Sequence, residues 1–337
     1  MNNTATGSQL HPAAVLYPQG SRRAAIPCVD HYAGSEKFMR KALVLQAEAT
    51  SATFDITLDC EDGATVGDEA AHATRIAELL MSSENKFGRV GVRIHDVTNP
   101  AWLADLETLV GDAGSRIAFI TVPKTRNASD VQRVLRALRH EEARCNLHRP
   151  IPLHVLVETH GALRDAWAIA GMDGVASLDF GLMDFVSEHQ GAIPASAMRS
   201  PGQFDHPLLR RAKCEIVAAA IAHDVVPTHN VCTDFANADA VYADAKRARE
   251  EFGFLRMWSI HPAQIEPILR AMRPAMNEIG EASELLAAAQ DANWGPIQAN
   301  GRLHDRASYR YYWNLLQRAQ TLGCNLPDTA RKRFFEN

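Results

Sequence analysis

The sequence predicts an α/β fold, a (β/α)8 barrel with a C-terminal helical extension, and three observations carry that expectation. Short apolar runs alternate with stretches of helical periodicity eight times between Ala24 and Met272, at a spacing of roughly 30 residues per unit. Two of the runs lead into a carboxylate flanked by turn formers, Glu158 and Asp184, and strand ends of that kind are where barrel sites are built. A chain of 337 residues has room for eight such units and an appendage. An open sheet in two halves shares the alternation and is the competing architecture.

Residues 1–21 carry Gly, Pro, Ser and Asn without periodicity and read as a surface arm. Ala24–Val29 reads as the first strand, and Ser35 caps a helix to about Ala49 with apolar positions at Phe38, Ala42 and Leu45. Phe54–Leu58 is the second strand and runs into DCEDG, three acids in four residues. Such a cluster is either a solvated turn or, at a barrel strand end, part of a site. After a helix over Asp68–Met81, the third strand is Val90–Ile94, with Arg93 inside it. An arginine there wants an anion: the DCED acids alone, or a ligand towards which those acids hold it. A helix over Trp102–Val110 leads to a fourth strand, Ile117–Val122, which ends in Pro123–Lys124; Lys124 is a snorkelling surface amine or a site cation. Ser129 caps the next helix, to about Glu142.

His154–Val157, a helix from Gly161 to Ala170, and Val175–Phe180 then form a βαβ unit with an acid after each strand. Parallel strands exit at one edge, so Glu158 and Asp184 are expected side by side although 26 positions apart. Two hard oxygen ligands suit magnesium, or manganese, which takes one or two carboxylates and fills the remaining positions with water and substrate. As plain caps of the helices that follow, the same two residues would carry no chemistry. The segment SEHQGAIPASAMRSPGQFDHP has little periodicity and reads as a lid or binding loop. Pro207–His223 is helical, Asp224–Pro227 is the seventh strand, Asn237–Phe252 is helical, and Leu255–Ile260 is the eighth strand before His261–Pro262. Pro274 breaks the chain; a helix to Ala292, a Gly/Pro link over Trp294–Leu303 and an amphipathic helix over Arg306–Leu322 follow. The expected domains are residues 1–273, a barrel with its N-terminal arm, and 274–337, a helical lid segment.

The formal net charge of -5 argues against general affinity for nucleic acid, and a small-molecule partner is expected. Six cysteines without a CxxC pair or His-rich ligand spacing indicate neither a zinc site nor a disulfide framework, and read as reduced thiols of a cytoplasmic protein. No run approaches the roughly 18 apolar residues of a membrane helix, and the N-terminus lacks a basic start followed by an apolar core, so no membrane association is expected.

Taken in order, DCEDG, GVRIHD, TVPKT, LVETHG, FGLMDF, MWSIHPAQI and GRLHDRAS resemble the DLEDS/A, VRIN, LPKV, IESxxG, LGxxDF, IHPxQ and G-x-x-x-D-x-A/P elements of the citrate lyase beta subunit-like family of the HpcH/HpaI aldolase superfamily, which includes malyl-CoA and citramalyl-CoA lyases. The resemblance runs from about Ala24 to Ala319. It implies a magnesium-dependent carbon–carbon lyase that cleaves a 3-hydroxyacyl-CoA to an acyl-CoA and a 2-oxo acid, or condenses the two. It implies Glu158 and Asp184 as metal ligands, Glu61 and Asp62 as acids that hold the metal's waters and orient Arg93, and Arg93 facing the reacting oxygens. Lys124 falls at the family's lysine, in a supporting role. Asp305 falls at the position of the catalytic acid/base, supplied by the C-terminal lid of an adjacent subunit, and the implied assembly is a homo-oligomer, a trimer or hexamer. Read without the family, Asp305 is an N-cap of the last helix.

Two departures bear on substrate. Asp30 and His31 stand where the family has a small-residue turn after strand one, and His229 stands where an Asp is frequent after strand seven; Asp234 is retained. These leave two competing readings open: a CoA-independent metal aldolase acting on free 4-hydroxy-2-oxo acids, and a catalytically silent barrel that binds a thioester or oxo acid.

Overall fold

The computed structural model describes residues 10–17, 20, 25–51, 53–62 and 67–336. The chain divides into two compact units, residues 23–272 and the pair of segments 1–22 and 273–337. The larger unit is a closed barrel of eight strands in sequence order, every neighbouring pair parallel. The strands are β1 (Val29–Ala33), β2 (Asp55–Asp59), β3 (Val90–Arg93), β4 (Ile120–Val122), β5 (Leu153–Val157), β6 (Val175–Phe180), β7 (Val226–His229) and β8 (Arg256–Ser259). Helices between the strands cover the outer face, and so β2, β3, β4, β5, β7 and β8 are buried at every position.

The barrel interior is charged as well as apolar. Arg256, fully buried, pairs with Asp30 at 2.6 Å and with Asp55, and donates to the Pro27 carbonyl at 2.9 Å. Asp179 accepts from the Trp258 indole at 2.9 Å and from the Ser177 hydroxyl. His154 is fully buried, with its ring stacked on Phe119 at a centroid distance of 3.9 Å.

This interior corrects the reading of strand one. Asp30 and His31 lie within β1, not beyond its end: Asp30 faces Arg256, and His31 Nδ1 is 2.7 Å from the Ser259 hydroxyl of β8. The strand begins at Val29 rather than Ala24, and Ala24 lies outside the described residues. Strand seven is displaced in the same direction. His229 is its last residue and packs outwards, its Nδ1 donating to the Asn230 carbonyl at 2.9 Å so that Nε2 accepts from the buried Lys213 Nζ. Neither departure from the family pattern lies in the exit turn to which the sequence reading assigned it. The helix expected over Gly161–Ala170 is two short ones, His160–Arg164 and Ala166–Ala170.

In the smaller unit, helices Met276–Asp291 and Arg306–Thr321 pack through Ile279, Leu286, Tyr309, Trp313 and Leu316, joined there by Leu16 and Phe334. The described part of the N-terminal arm thus belongs with the C-terminal helices; residues 1–9, 18, 19 and 21 of the expected arm lie outside the described residues. The link read over Trp294–Leu303 contains an antiparallel hairpin, β9 (Ile297–Ala299) with β10 (Arg302–His304). Asn300 and Gly301 form its turn with φ of 50° and 72°, the left-handed pair that a tight hairpin requires. Among the described residues no helix is long and apolar enough to cross a membrane.

Candidate active site

The strand ends converge on one cleft at the barrel mouth, of about 380 Å³, lined by Asp96, Lys124, Arg126, Glu158, Thr159, Asp184 and Glu188 among others. Beside it, joined through Lys124, stands an ion-pair cluster at the ends of β2 and β3. Arg93 sits at the end of β3 and is held in a fork by Asp59, with Nε to Oδ1 at 2.6 Å and Nη2 to Oδ2 at 2.9 Å. Asp62 lies 3.0 Å from Nη2 and Glu61 3.3 Å from Nη1, and the guanidinium lies over the Tyr32 ring at 5.2 Å. The Tyr32 hydroxyl donates to Asp59 at 2.7 Å, so the same carboxylate fixes both side chains. Burial works against the Arg93 charge, but the hydrogen bonds and charge of Asp59 outweigh it and hold the guanidinium protonated well above its ordinary range.

Lys124 joins this cluster to the metal-ligand candidates. Its backbone is left-handed, φ 46°, an uncommon conformation for a residue with a side chain. That turn aims its N–H at Glu158 Oε1, 2.6 Å away, while its ammonium pairs with Glu61 at 2.8 Å and reaches Asp62 at 3.5 Å. Glu158 is 2 % exposed. Burial first, and then the like charge of Asp184, push its carboxyl up to about 8. Gly181 makes room for it: a Cβ there would stand 2.2 Å from Glu158 Oε2. FGLMDF and LVETHG therefore fit together as a cradle, the glycine of one motif accommodating the acid of the other.

Among the described residues, two places in the barrel offer clustered metal-ligating groups, and they differ in what already satisfies them. Asp30, His154 and Asp179 bring ligand atoms within 4.8 Å of one another, all buried. Arg256 already occupies that cluster, and both Asp179 oxygens accept hydrogen bonds. At the mouth, Glu158 and Asp184 oppose each other with one backbone N–H donating to Glu158. A buried acid whose ionised form is disfavoured by a second acid is what a divalent cation relieves, so the donor set at the mouth fits magnesium and the interior cluster does not.

The structure thus brings Glu61, Asp62, Arg93, Lys124, Glu158 and Asp184 to one mouth. Asp305 belongs to the smaller unit, where it is exposed and caps the helix Arg306–Thr321, accepting from the Ala307 N–H at 2.9 Å. Two contributors, Tyr32 and Arg126, carry no sequence signal of their own, and Asp59 is marked only collectively, among the DCED acids expected to pair with Arg93. Asp59 opens the DCEDG motif and is the principal partner of Arg93; Tyr32 lies within the misplaced first strand; Arg126 stands two positions after Lys124 with nothing local to mark it.

The sequence model of the HpcH/HpaI aldolase/citrate lyase family matches residues 40–262. An L-malyl-CoA/beta-methylmalyl-CoA lyase of Cereibacter sphaeroides is 26% identical over 293 residues, 81% of this chain and 90% of its own length. A crystal structure of a citrate lyase from Burkholderia xenovorans superposes with a TM-score of 0.87 at 51% identity, covering 98% of this chain and 100% of that one. The CitE protein of Mycobacterium tuberculosis, in complex with magnesium, acetoacetate and coenzyme A, shares the fold at a TM-score of 0.67 and 23% identity over 88% of this chain and 99% of its own.

Proposed function

The chain belongs to the HpcH/HpaI aldolase/citrate lyase family, and from that premise we propose that it is a magnesium-dependent carbon–carbon lyase acting on CoA thioesters, cleaving a 3-hydroxyacyl-CoA to an acyl-CoA and a 2-oxo acid or joining the two. The observation that carries the reading is the meeting of a carboxylate pair, Glu158 and Asp184, with a forked arginine, Arg93, at one barrel mouth. Glu158 and Asp184 would hold the metal. Bound magnesium supplies Lewis-acid polarisation to the 2-oxo acid. Arg93, held by Asp59, presents a fixed cation to the oxygen on which charge develops as the carbon–carbon bond breaks or forms. Lys124 holds Glu61 and Asp62 in place and, through its N–H, the orientation of Glu158. Asp305 moves the proton at the thioester α-carbon: in condensation it removes that proton while the new alkoxide takes one from water, and in cleavage the hydroxyl proton leaves to water while Asp305 returns one to the carbon released. The thioester makes this carbon far more acidic than that of a free acid.

Asp305 lies in the smaller compact unit rather than in the barrel unit, which suits delivery to the barrel of a neighbouring subunit in a trimer or hexamer. All six cysteines are free, which fits a reducing, cytoplasmic setting.

The test is turnover of short acyl-CoA esters with 2-oxo acids, in both directions, with magnesium, with manganese and after chelation. Turnover of a thioester that vanishes on chelation supports the reading. Cleavage of a free 4-hydroxy-2-oxo acid with no thioester turnover would establish the CoA-independent aldolase instead. For the shared lid, Glu158→Ala and Asp305→Ala proteins are mixed under conditions that exchange subunits; a closed ring with one borrowed acid per site recovers about a quarter of wild-type activity. Exchange without recovery places the acid in its own subunit or leaves Asp305 a helix cap.

A further inference from the structure

The cleft has two lining cations, and they are not equally engaged. Lys124 is committed to Glu61 and Asp62. Arg126 lines the same cleft with its side chain 58 % exposed, and its one ion pair runs from Nε to Asp130 at 3.4 Å. Among the described residues its two terminal nitrogens have no ion-pair partner.

The backbone that carries this side chain is clamped from three directions. The Arg126 N–H donates to Asp130 at 3.0 Å. Thr159 donates its hydroxyl to the Thr125 carbonyl at 2.6 Å. The Arg126 carbonyl lies so close to Gly161 that a Cβ there would stand 1.9 Å from it. Gly161 and Thr159 belong to LVETHG, the stretch that also supplies Glu158, so the position of Arg126 is tied to that of the metal-ligand candidate. Asp96, a lining acid that could compete for the guanidinium, accepts from the Thr98 N–H of its own turn at 2.8 Å.

We propose that Arg126 is an anion anchor that determines substrate specificity, receiving through its terminal nitrogens a negatively charged group of the substrate other than the carboxylate at the metal. The inference rests on the reading of Glu158 and Asp184 as the metal end of the cleft. A planar fork on a clamped backbone suits bidentate recognition of carboxylate or phosphate. The group is either the distal carboxylate of a dicarboxylic 2-oxo acid or a phosphate of the CoA moiety.

The experiment measures equilibrium binding by calorimetry, with magnesium present, for wild type, R126Q and R126K. The ligands form two pairs: 2-oxoglutarate against pyruvate, and CoA against pantetheine, which lacks the phosphates. The expected result is a loss of about 10- to 100-fold in R126Q for the more highly charged member of one pair only, as for a lost hydrogen bond to a charged group, with partial recovery in R126K. Loss confined to 2-oxoglutarate assigns the distal carboxylate; loss confined to CoA assigns the phosphate. R126Q binding of all ligands within about twofold of wild type overturns the proposal, as does a wild type that binds neither charged member better than its partner. Magnesium binding by R126Q, measured alone, stays at the wild-type level. A wild type that loses anion affinity on R126Q substitution yet makes and breaks no carbon–carbon bond refutes the lyase reading and leaves the anion anchor standing.

Discussion

Arg93 and Arg256 lie on strands of the same barrel, each buried among carboxylates, and the two clusters differ in how nearly their charges close. At the mouth, seven carboxylates (Asp59, Glu61, Asp62, Asp96, Glu158, Asp184, Glu188) face three cations (Arg93, Lys124, Arg126), a formal excess of four negative charges. In the interior, three carboxylates (Asp30, Asp55, Asp179) face two arginines (Arg256, Arg89), an excess of one. That last charge lies where burial pushes the Asp179 carboxyl up to about 6 and raises Asp30, so a proton can complete the balance. The interior cluster is closed by residues from β1, β2, β6 and β8, with Arg89 just before β3, and ties those strands together. The mouth carries the larger deficit, one that an external cation would complete. A buried charge deficit that the chain does not repair marks the place where a ligand belongs.

The largest expected effect breaks the closed side of that comparison. Arg256→Leu leaves Asp30 and Asp55 buried without their shared partner and is expected to cost about 3–5 kcal/mol in urea unfolding. Stability unchanged by the substitution would mean that Arg256 is no keystone of the barrel. Asp184→Asn does the converse at the mouth: metal-dependent turnover falls by more than about 100-fold, beyond the loss seen when only a partner behind a metal ligand is removed, while the melting temperature holds or rises because a like charge beside Glu158 has gone. Full turnover in that variant would move the metal elsewhere. Arg93→Lys keeps the charge and loses the fork to Asp59; kcat is expected to fall by about 10- to 100-fold, less than on removing an oxyanion donor outright. Near-normal kinetics would make Arg93 a structural residue.

The sequence revealed the open cluster better than the closed one. Glu158 and Asp184 stand at the exits of adjacent apolar strands, so topology alone makes them neighbours. Arg93 follows the same logic, one strand from the acids of DCEDG. Asp30 could not be read this way. Its partner is Arg256, far along the chain and brought beside it only when β8 closes the barrel on β1. Without that partner, local apolarity favours AAIPCV over VDHYA, and the strand lies later in the chain than apolarity alone predicts. The same bias drew strand seven away from His229, whose partner Lys213 lies on a preceding helix. Trp294–Leu303 reads only as a Gly/Pro link, because the strands joined by the Asn300–Gly301 turn are three residues each and too short to show alternation.

His154 gives the smallest effect and the sharpest distinction between the clusters. Among the described residues neither ring nitrogen, both buried, has a hydrogen-bond partner, and burial first, then the nearby charges of Arg256 and Arg89, favours the neutral ring. A neutral imidazole with unpaired nitrogens beside Asp30 and Asp179 is either a ligand lacking its metal or an aromatic filler stacked on Phe119. The satisfied oxygens of Asp179 and the pairing of Asp30 with Arg256 favour filler. His154→Leu removes two unsatisfied polar atoms at similar volume and gives up the stacking. The relief of burying those atoms is expected to exceed that loss by about 1 kcal/mol, a rise of roughly 2 °C in melting temperature for a chain of this size. Metal content and turnover should match wild type. A fall of one bound metal per chain in His154→Leu, measured by elemental analysis after dialysis, would place a metal in the interior and undo the division between an open mouth and a closed core.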